Sequence, residues 1–146
     1  ATSLSVNVTL ATGSYYVRIE LDTGLAARST NAIITASADP TFSTGAGSIG
    51  SVQAGETVNL SVSASSDSSV TITETTSVLT SNANTPAATM NLSLASNGAI
   101  TGTAPSPTSA QTYNFTLRAT DAEAQTVDRA FSITVTVGLQ NGGQFN

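Results

Sequence analysis

The strongest constraint on the fold is a strict alternation of apolar and polar residues late in the chain. Tyr113, Phe115, Leu117 and Ala119 occupy every second position of residues 113–120, with Asn, Thr and Arg between them. Successive side chains of a β-strand point to opposite faces, so this pattern predicts a strand with one buried face. A helix would instead repeat its apolar positions every three to four residues.

A second alternating run follows after a polar turn at residues 121–125. Its inward parity is formed by Val127, Arg129, Phe131, Ile133, Val135 and Val137. Two long antiparallel strands joined by a short turn predict the centre of an all-β sandwich.

The residues before this strand pair predict a hairpin and a crossing between sheets. Asn97-Gly98 is a strong turn signal between apolar strands. Gly102, Pro105 and Pro107 then interrupt strand pairing, which predicts a crossing to the other sheet. The apolar positions of the hairpin are Leu92, Leu94 and Ile100.

Earlier alternation predicts two further strands of the same sandwich and a loop. The inward positions are Val58, Leu60, Val62 and Ala64 in the first strand, then Val70, Ile72 and Glu74 in the second. Residues 77–89 show no periodicity and contain helix and strand breakers, so they predict a surface loop, which is either a tolerated insertion or a contact surface.

The N-terminal residues predict a smaller β module. Strand signals cover 4–10, 15–21 and 32–36, with glycine-containing turns between them. The Asp39-Pro40 pair predicts a linker, because the residue before proline is driven out of the helical region. The predicted organisation is a partial module at 1–38, a linker at 39–41, a sandwich at 42–137, and a flexible tail or lead into another module at 138–146.

The composition excludes several kinds of chemistry. The chain has no Cys, His, Lys or Trp, and its four cations are arginines. It therefore has no Ser-His or Cys-His nucleophile pair, no ordinary zinc ligand set and no Schiff-base lysine. We predict that it is not an enzyme and that it has no organic cofactor.

The charge pattern bears on partners. A net charge of −5 with scattered arginines argues against nucleic acid, whose phosphates require a basic patch. No stretch is apolar and long enough to span a bilayer. The N-terminus lacks a signal-peptide pattern, so export is either handled elsewhere or not needed.

Calcium is the one metal with candidate ligands. Asp121 and Glu123, with Asp39 or Asp67 at the same end, could offer the converging carboxylates that calcium needs. The alternative is that Asp121 fixes a turn by accepting hydrogen bonds from backbone amides.

Two other kinds of candidate site, aromatic residues for sugar binding and glycosylation sequons, have less support in the sequence. Tyr15, Tyr16 and Phe145 could stack on sugars, although alternation places Tyr15 in a core. The chain carries four N-x-Ser/Thr sequons, but about a third of it is Ser or Thr, so chance alone accounts for such a number. The sequons begin at Asn7, Asn59, Asn91 and Asn114.

The second half of the chain resembles the He_PIG immunoglobulin-like repeat over about residues 42–137. The resemblance is carried by the segments GAITGTAP, YNFTLRATD and RAFSITV. The chain departs from the repeat pattern in having Asn91 where the family often has glycine, and Ala104 between Thr103 and Pro105. The matching positions are Leu92, Leu94, Gly98, Ile100, Gly102, Thr103, Pro105, Tyr113, Phe115, Thr116, Ala119, Thr120, Asp121, Arg129, Phe131, Ile133 and Val135.

The segment GSYYVRIELDTGLAARSTNAIITAS is similar to the last strands of an IPT/TIG-type module. The earlier strands of such a module are absent from this sequence, so unpaired strand edges are expected there. These edges predict a homo-oligomer formed through the N-terminal module.

The two resemblances together imply a non-enzymatic structural protein on the virion surface of a tailed phage, in capsid decoration, a head fibre or the tail. Its partners would be other virion proteins or a glycan or protein of the host surface. The alternative is an adhesin module on a bacterial cell surface, and the third possibility is a glycan-binding accessory domain. A family-level function of this kind follows by association and not from a site.

Overall fold

The computed structural model describes residues 37–81 and 88–138 in full and, before residue 37, the backbone of four short strands. The chain divides into two compact units, Ala1–Ala38 and Asp39–Asn146. In the described part of the chain, no helix has the length and hydrophobicity needed to cross a membrane.

The N-terminal unit contains two antiparallel strand pairs. Strand β1 (Gly13–Tyr15) pairs with β4 (Ile34–Ala36), and β2 (Arg18–Glu20) pairs with β3 (Ala26–Arg28). The sequence did not predict β3, because alanine has a low preference for strands. The strand predicted at 4–10 lies outside the described residues.

The second unit is built from two main sheets and one short strand pair. The three-stranded sheet has the order β10-β11-β7, and the four-stranded sheet has the order β6-β13-β12-β9. Strands β5 and β8 form the short pair, and β6 runs parallel to β13. The strands are β5 (Thr41–Phe42), β6 (Gly47–Gln53), β7 (Thr57–Ser61), β8 (Ala64–Ser65), β9 (Val70–Glu74), β10 (Ser93–Leu94), β11 (Ala99–Thr103), β12 (Gln111–Asp121) and β13 (Thr126–Thr136).

This sheet order is that of an immunoglobulin-type sandwich. Counted from β6 and without the short strands β5 and β8, one sheet joins the second, fourth and fifth strands (β7, β10 and β11). The other joins the third, sixth and seventh strands (β9, β12 and β13), with β6 added at its edge. Apart from this edge strand, the grouping is that of immunoglobulin domains. The predicted crossing after Gly102 is confirmed, since β11 and β12 belong to different sheets. The all-β fold class is likewise confirmed for this unit.

The core lies between the two main sheets and follows the predicted alternation. Tyr113, Phe115, Leu117 and Ala119 are all buried. Phe131 lies directly opposite Phe115 across the β12–β13 pair. Phe131 also meets Phe42 edge to face, with the ring centroids 5.4 Å apart. Aromatic pairs of this geometry add stability beyond the area that they bury.

Arg129 breaks the apolar series of β13 and has a structural role. Its Nη1 donates hydrogen bonds to the carbonyl oxygens of Phe42 at 3.0 Å and Thr44 at 2.8 Å. Its guanidinium also lies 5.6 Å from the centroid of the Phe42 ring. The arginine therefore ties the first strand of this unit to its last strand.

The prediction of a surface loop at 77–89 is wrong at Leu79, which is buried in the core although it lies outside the strands. Met90, directly after the predicted loop, is also buried and also lies outside the strands. The backbone amides of Met90 and Leu92 donate to the carbonyl oxygens of Val78 and Leu79, respectively. The two ends of this irregular segment are therefore joined by backbone hydrogen bonds. Residues 82–87 lie outside the described part of the chain.

Val137 also departs from prediction. It continues the inward parity of β13 in the sequence, but it is 40% exposed. The strand ends at Thr136, so the alternation no longer determines which way Val137 faces.

The structure explains both departures from the He_PIG pattern. Asn91 has a φ of 51°, in the left-handed region that glycine favours and that asparagine tolerates better than most residues. Ala104 is buried after β11, where its amide donates to Glu56 and its carbonyl oxygen accepts from Gly55. The extra residue is therefore held by backbone hydrogen bonds.

Candidate functional site

The candidate site lies around the turn that joins β12 to β13. The amide of Asp121 donates to the carbonyl oxygen of Gln125, and the amide of Ala124 donates to that of Asp121. Ala124 has a φ of 67°. This is a tight hairpin turn with its fourth residue in the left-handed conformation.

The carboxylate of Asp121 holds this turn together. Asp121 is 6% exposed, and its Oδ1 accepts hydrogen bonds from the amides of Glu123 at 3.1 Å and Gln125 at 2.8 Å. Its Oδ2 accepts from the hydroxyl of Ser66 at 3.3 Å. A buried carboxylate needs such donors, because leaving it without them would cost several kcal/mol.

Two exposed carboxylates lie beside Asp121. One oxygen from each of Asp67, Asp121 and Glu123 falls within 4.8 Å of the others. Asp67 comes from the β8–β9 connection, and its Oδ1 lies 3.1 Å from the same Ser66 hydroxyl, whose single hydrogen is shared between Asp67 and Asp121. The hydroxyl of Ser68 from the same connection donates to Glu123.

The structure places the fourth predicted acid elsewhere. Asp39 is not in this group of three, and its Oδ1 accepts a hydrogen bond from Nε2 of Gln125 at 2.9 Å. Asp39 therefore contacts the same turn at Gln125, the last residue of the turn. Of the two predicted companions of Asp121 and Glu123, the group contains Asp67.

This arrangement can act in two ways. Asp121 can be a turn clamp, meaning a carboxylate that fixes a turn by accepting hydrogen bonds from its backbone amides, or the three acids can form part of a cation site. Three carboxylates fit the oxygen chemistry of calcium, which takes six to eight oxygen ligands. Each oxygen of Asp121 already accepts hydrogen bonds from the protein, which is the turn-fixing role that the sequence offered as the alternative. Calcium binding at this end stays a prediction.

Glu74 forms a second carboxylate clamp, which the sequence did not reveal. Its Oε1 accepts from the amides of Val78 and Leu79 at 2.6 and 2.8 Å, and its Oε2 accepts from the amide and the hydroxyl of Thr80 at 2.9 and 2.8 Å. The hydroxyl of Thr76 donates to Oε1 as well. A glutamate at a strand end followed by small polar residues was the available signal.

These bonds also set the protonation of Glu74. Burial alone would raise the pKa of its carboxyl group, but the donors from Leu79, Thr80 and Val78 outweigh burial and hold the pKa below its ordinary value of 4.5. Glu74 is therefore ionised near neutrality, and its carboxylate accepts hydrogen bonds from the segment that follows β9. This makes it a structural group and a poor general acid.

Three other groups in the described residues have shifted pKa values. Hydrogen bonding to Asp128 raises the pKa of Arg118, and the same bond lowers the pKa of Asp128. The pair is bidentate, with distances of 2.7 and 2.8 Å. Burial raises the pKa of Tyr113. All of these shifts, like that of Glu74, move the group away from neutrality.

The remaining sequence candidates are only partly described. Of the aromatic residues, Tyr15 lies in β1, and Tyr16 and Phe145 lie outside the described residues. The sequons at Asn59, Asn91 and Asn114 are exposed, and that of Asn7 is outside the described part.

A family comparison agrees with the architecture. The model of the He_PIG family, described as "Putative Ig domain", matches residues 32–136. This match covers more than half of the chain. The chain belongs to the He_PIG family of immunoglobulin-like domains.

Searches of other proteins add little to this assignment. No curated protein matches the chain. Among solved structures it is similar to a chimeric titin Z1Z2 functionalised with a KLER exogenous peptide from decorin, at 19% identity and a TM-score of 0.44, over 71% of this chain and 100% of that one.

Two further similar structures are longer than this chain. One is the sialic acid binding region of the Streptococcus sanguinis SK1 adhesin bound to 3'sLn, at 21% identity and a TM-score of 0.43, over 88% of this chain and 38% of that one. The other is the insect immune protein hemolin, at 14% identity and a TM-score of 0.42, over 87% and 29%. A likeness at this level transfers no ligand or partner.

Proposed function

We propose that this chain is a non-enzymatic attachment module on the surface of a tailed-phage particle, in capsid decoration or a tail-associated position. The proposal combines the He_PIG domain with the IPT/TIG-like segment at the N-terminus. The chain is also rich in threonine and free of lysine and cysteine, and this composition, together with the two resemblances, favours a virion module. Its partners would be other virion proteins or a host-surface glycan or protein.

The observation that carries the non-enzymatic part is the state of the titratable groups. The pKa shifts of Glu74, Tyr113, Arg118 and Asp128 all lead away from neutrality, and the carboxylates of Glu74 and Asp128 accept hydrogen bonds from the protein itself. General acid–base catalysis instead needs a group whose pKa lies near the working pH. This pattern supports a protein that binds and does not turn over a substrate.

The outer faces of the two main sheets support docking. Both present exposed hydroxyl and amide side chains on regular strands, which can contact a partner without a preformed pocket. Thr112 and Thr134 are hydrogen bonded across β12 and β13 at 3.0 Å, so part of this face is held in place. The exposed outward residues are Thr71, Thr73, Thr112, Asn114 and Thr136 on the four-stranded sheet, and Thr57, Asn59, Ser61, Ser93, Thr101 and Thr103 on the three-stranded sheet.

Antibody labelling of purified particles tests the proposed location. Gold-labelled antibodies against this chain should decorate phage particles at regular positions in electron micrographs. Particles from a phage lacking the gene provide the matched control. Labelling that is confined to the envelope of a bacterial cell would overturn the virion location and favour the adhesin alternative.

A further inference from the structure

The segment that opens the sandwich unit, residues 39–54, runs in the same direction as β13 and contacts it from one end to the other. Its first contact is just before β13, where Oδ1 of Asp39 accepts from Nε2 of Gln125 at 2.9 Å. Its last contact is at the end of β13, where the amide of Ala54 donates to the carbonyl oxygen of Thr136 at 2.8 Å. We refer to residues 39–54 as the entry segment.

Two sets of contacts join the entry segment to β13 between these points. Nη1 of Arg129 donates to the carbonyl oxygens of Phe42 at 3.0 Å and Thr44 at 2.8 Å, and the ring of Phe42 meets that of Phe131 edge to face. Farther along, β6 pairs in parallel with the second half of β13 over six register positions. Side-chain contacts therefore hold the first part of the entry segment, and a strand ladder holds the rest.

The chain enters and leaves this unit at opposite ends of β13. Asp39 lies beside Gln125 at one end, and Gly138 follows two residues after the strand at the other. With a rise of about 3.3 Å per residue, the eleven residues of β13 extend over roughly 33 Å. A pull on the two ends of the unit therefore acts along β13, and it moves the entry segment and β13 in opposite directions.

A parallel strand pair resists this direction of pull better than any other. Its hydrogen bonds run between the strands, so a force along the strands acts on all of them at once and they must break together. A force across the strands breaks them one after another from one end. The Arg129 contacts are strained by the same sliding motion, and hydrogen bonds that involve a charged group are stronger than neutral ones.

We propose that the sandwich unit carries tension between its two ends, and that the β6–β13 ladder and Arg129 are the parts that resist extension. This function goes beyond the proposed attachment role. An attachment protein experiences such tension whenever the two surfaces that it joins are moved apart.

Force spectroscopy on the full chain in two pulling geometries tests this function. The chain has no cysteine, so handles can be attached at introduced ones. Ala38→Cys with Val137→Cys applies the force along β13, whereas Glu56→Cys with Val137→Cys peels β6 from the end of β13. At equal force, unfolding should be at least about tenfold slower in the first geometry, because several hydrogen bonds must break together. Equal rates in the two geometries overturn the proposal.

Substitution of two arginines locates the resistance. Arg129→Gln removes the contacts with Phe42 and Thr44, so unfolding along β13 should be about tenfold faster. In the peeling geometry its effect should be small, because the ladder opens at the other end of the strand. Arg118→Gln on the neighbouring strand β12 is the matched control, and it should change either rate by less than about twofold. Equal acceleration by Arg129→Gln in both geometries would overturn the role of Arg129 in resisting extension.

A conservative variant and the particle labelling complete the test. Arg129→Lys keeps the charge but loses the planar fork of donors, so its rate along β13 should lie between those of the unmodified chain and Arg129→Gln. A rate equal to that of the unmodified chain in both variants would exclude Arg129. Regular particle labelling with equal rates in the two geometries would overturn this inference and leave the virion location standing. Slower unfolding along β13 with labelling confined to a bacterial envelope would overturn the location alone.

Discussion

The turns at residues 95–99 and 121–125 have the same pattern of backbone hydrogen bonds. They differ in the residue at the fourth position, where the backbone is left-handed. In each turn the first residue donates to the fifth, and the fourth donates back to the first. The fourth residue is Gly98 in one turn and Ala124 in the other, with φ values of 89° and 67°. A left-handed conformation costs alanine about 1–2 kcal/mol more than glycine.

Tertiary contacts explain this difference. A Cβ at position 98 would overlap the carbonyl oxygen of Val62 and lie 3.0 Å from Cδ1 of Ile72, so the first turn has no room for a side chain. Ala124 is exposed, and the Asp121 carboxylate accepts hydrogen bonds from two backbone amides of the second turn. One turn therefore depends on the absence of a side chain at position 98, and the other on the hydrogen bonds that the Asp121 side chain accepts.

The largest effect should come from Gly98→Ala. The substitution combines left-handed strain with the overlap at Val62, and it disrupts the hydrogen bond from the Val62 amide to the Gly98 carbonyl oxygen. We expect a loss of about 3 kcal/mol or more in the free energy of unfolding, measured by urea denaturation. Gly45→Ala, which meets no atom within 4 Å, is the control. Equal losses at both positions would contradict the steric explanation.

The next effect should come from Asp121→Asn, which weakens the clamp of the second turn. Hydrogen bonds to a charged acceptor are worth about 1.5–3 kcal/mol, and the amide keeps part of this, so we expect a loss of about 1–2 kcal/mol. Glu123→Gln, at an exposed position, should change stability by less than about 0.5 kcal/mol.

Calcium addition separates the two roles of this end. If Asp121 is a turn clamp alone, millimolar calcium leaves the melting temperature unchanged. If the three acids bind calcium, the melting temperature rises, and Asp67→Asn and Glu123→Gln both reduce the rise.

The second carboxylate clamp should make stability depend on pH. The folded-state pKa of Glu74 lies below its ordinary value of 4.5, so its stabilising contribution is present above pH 4.5 and is lost as the pH falls through the lowered pKa. Glu74→Gln should cost about 1 kcal/mol at pH 7 and progressively less in acid. The measurement is urea denaturation from pH 7 to pH 3. A cost that stays constant over this range would exclude the clamp.

The smallest effect should be a gain. Ala124→Gly removes the left-handed strain at an exposed position, and we expect an increase of about 0.5–1 kcal/mol, reduced by the greater freedom of glycine in the unfolded chain. Ala122→Gly, in the same turn but without a positive φ, should be neutral or destabilising. A lower free energy of unfolding in Ala124→Gly would contradict this prediction. It would show that the hydrogen bonds to Asp121, and not the residue at position 124, determine the backbone conformation there.

The sequence was informative wherever the structure depends on near neighbours. Alternation placed Tyr113, Phe115 and Leu117 in the core, and the Asn97-Gly98 pair correctly predicted a turn. It failed at Leu79, which is buried without any periodic pattern around it. It also placed Val137 inward, although the strand ends just before it.

For the candidate site, the sequence identified the acids but could not decide between Asp39 and Asp67 as companions of Asp121. Both lie far from Asp121 in the chain. Asp67 joins the group because the β8–β9 connection packs against the β12–β13 turn, whereas Asp39 precedes β5 and contacts Gln125 instead. The five donors around Glu74 were likewise invisible, because they depend on the path of an irregular segment.

By itself, the sequence determined most of the strand pattern and of the inward faces of the sandwich strands, because side-chain alternation is a local property. Tertiary structure decided which residues meet: Asp67 with Asp121, Arg129 with Phe42 and Thr44, and Val62 with Gly98. These contacts join segments that are distant in the chain, and they form only when the strands pair and the sheets assemble.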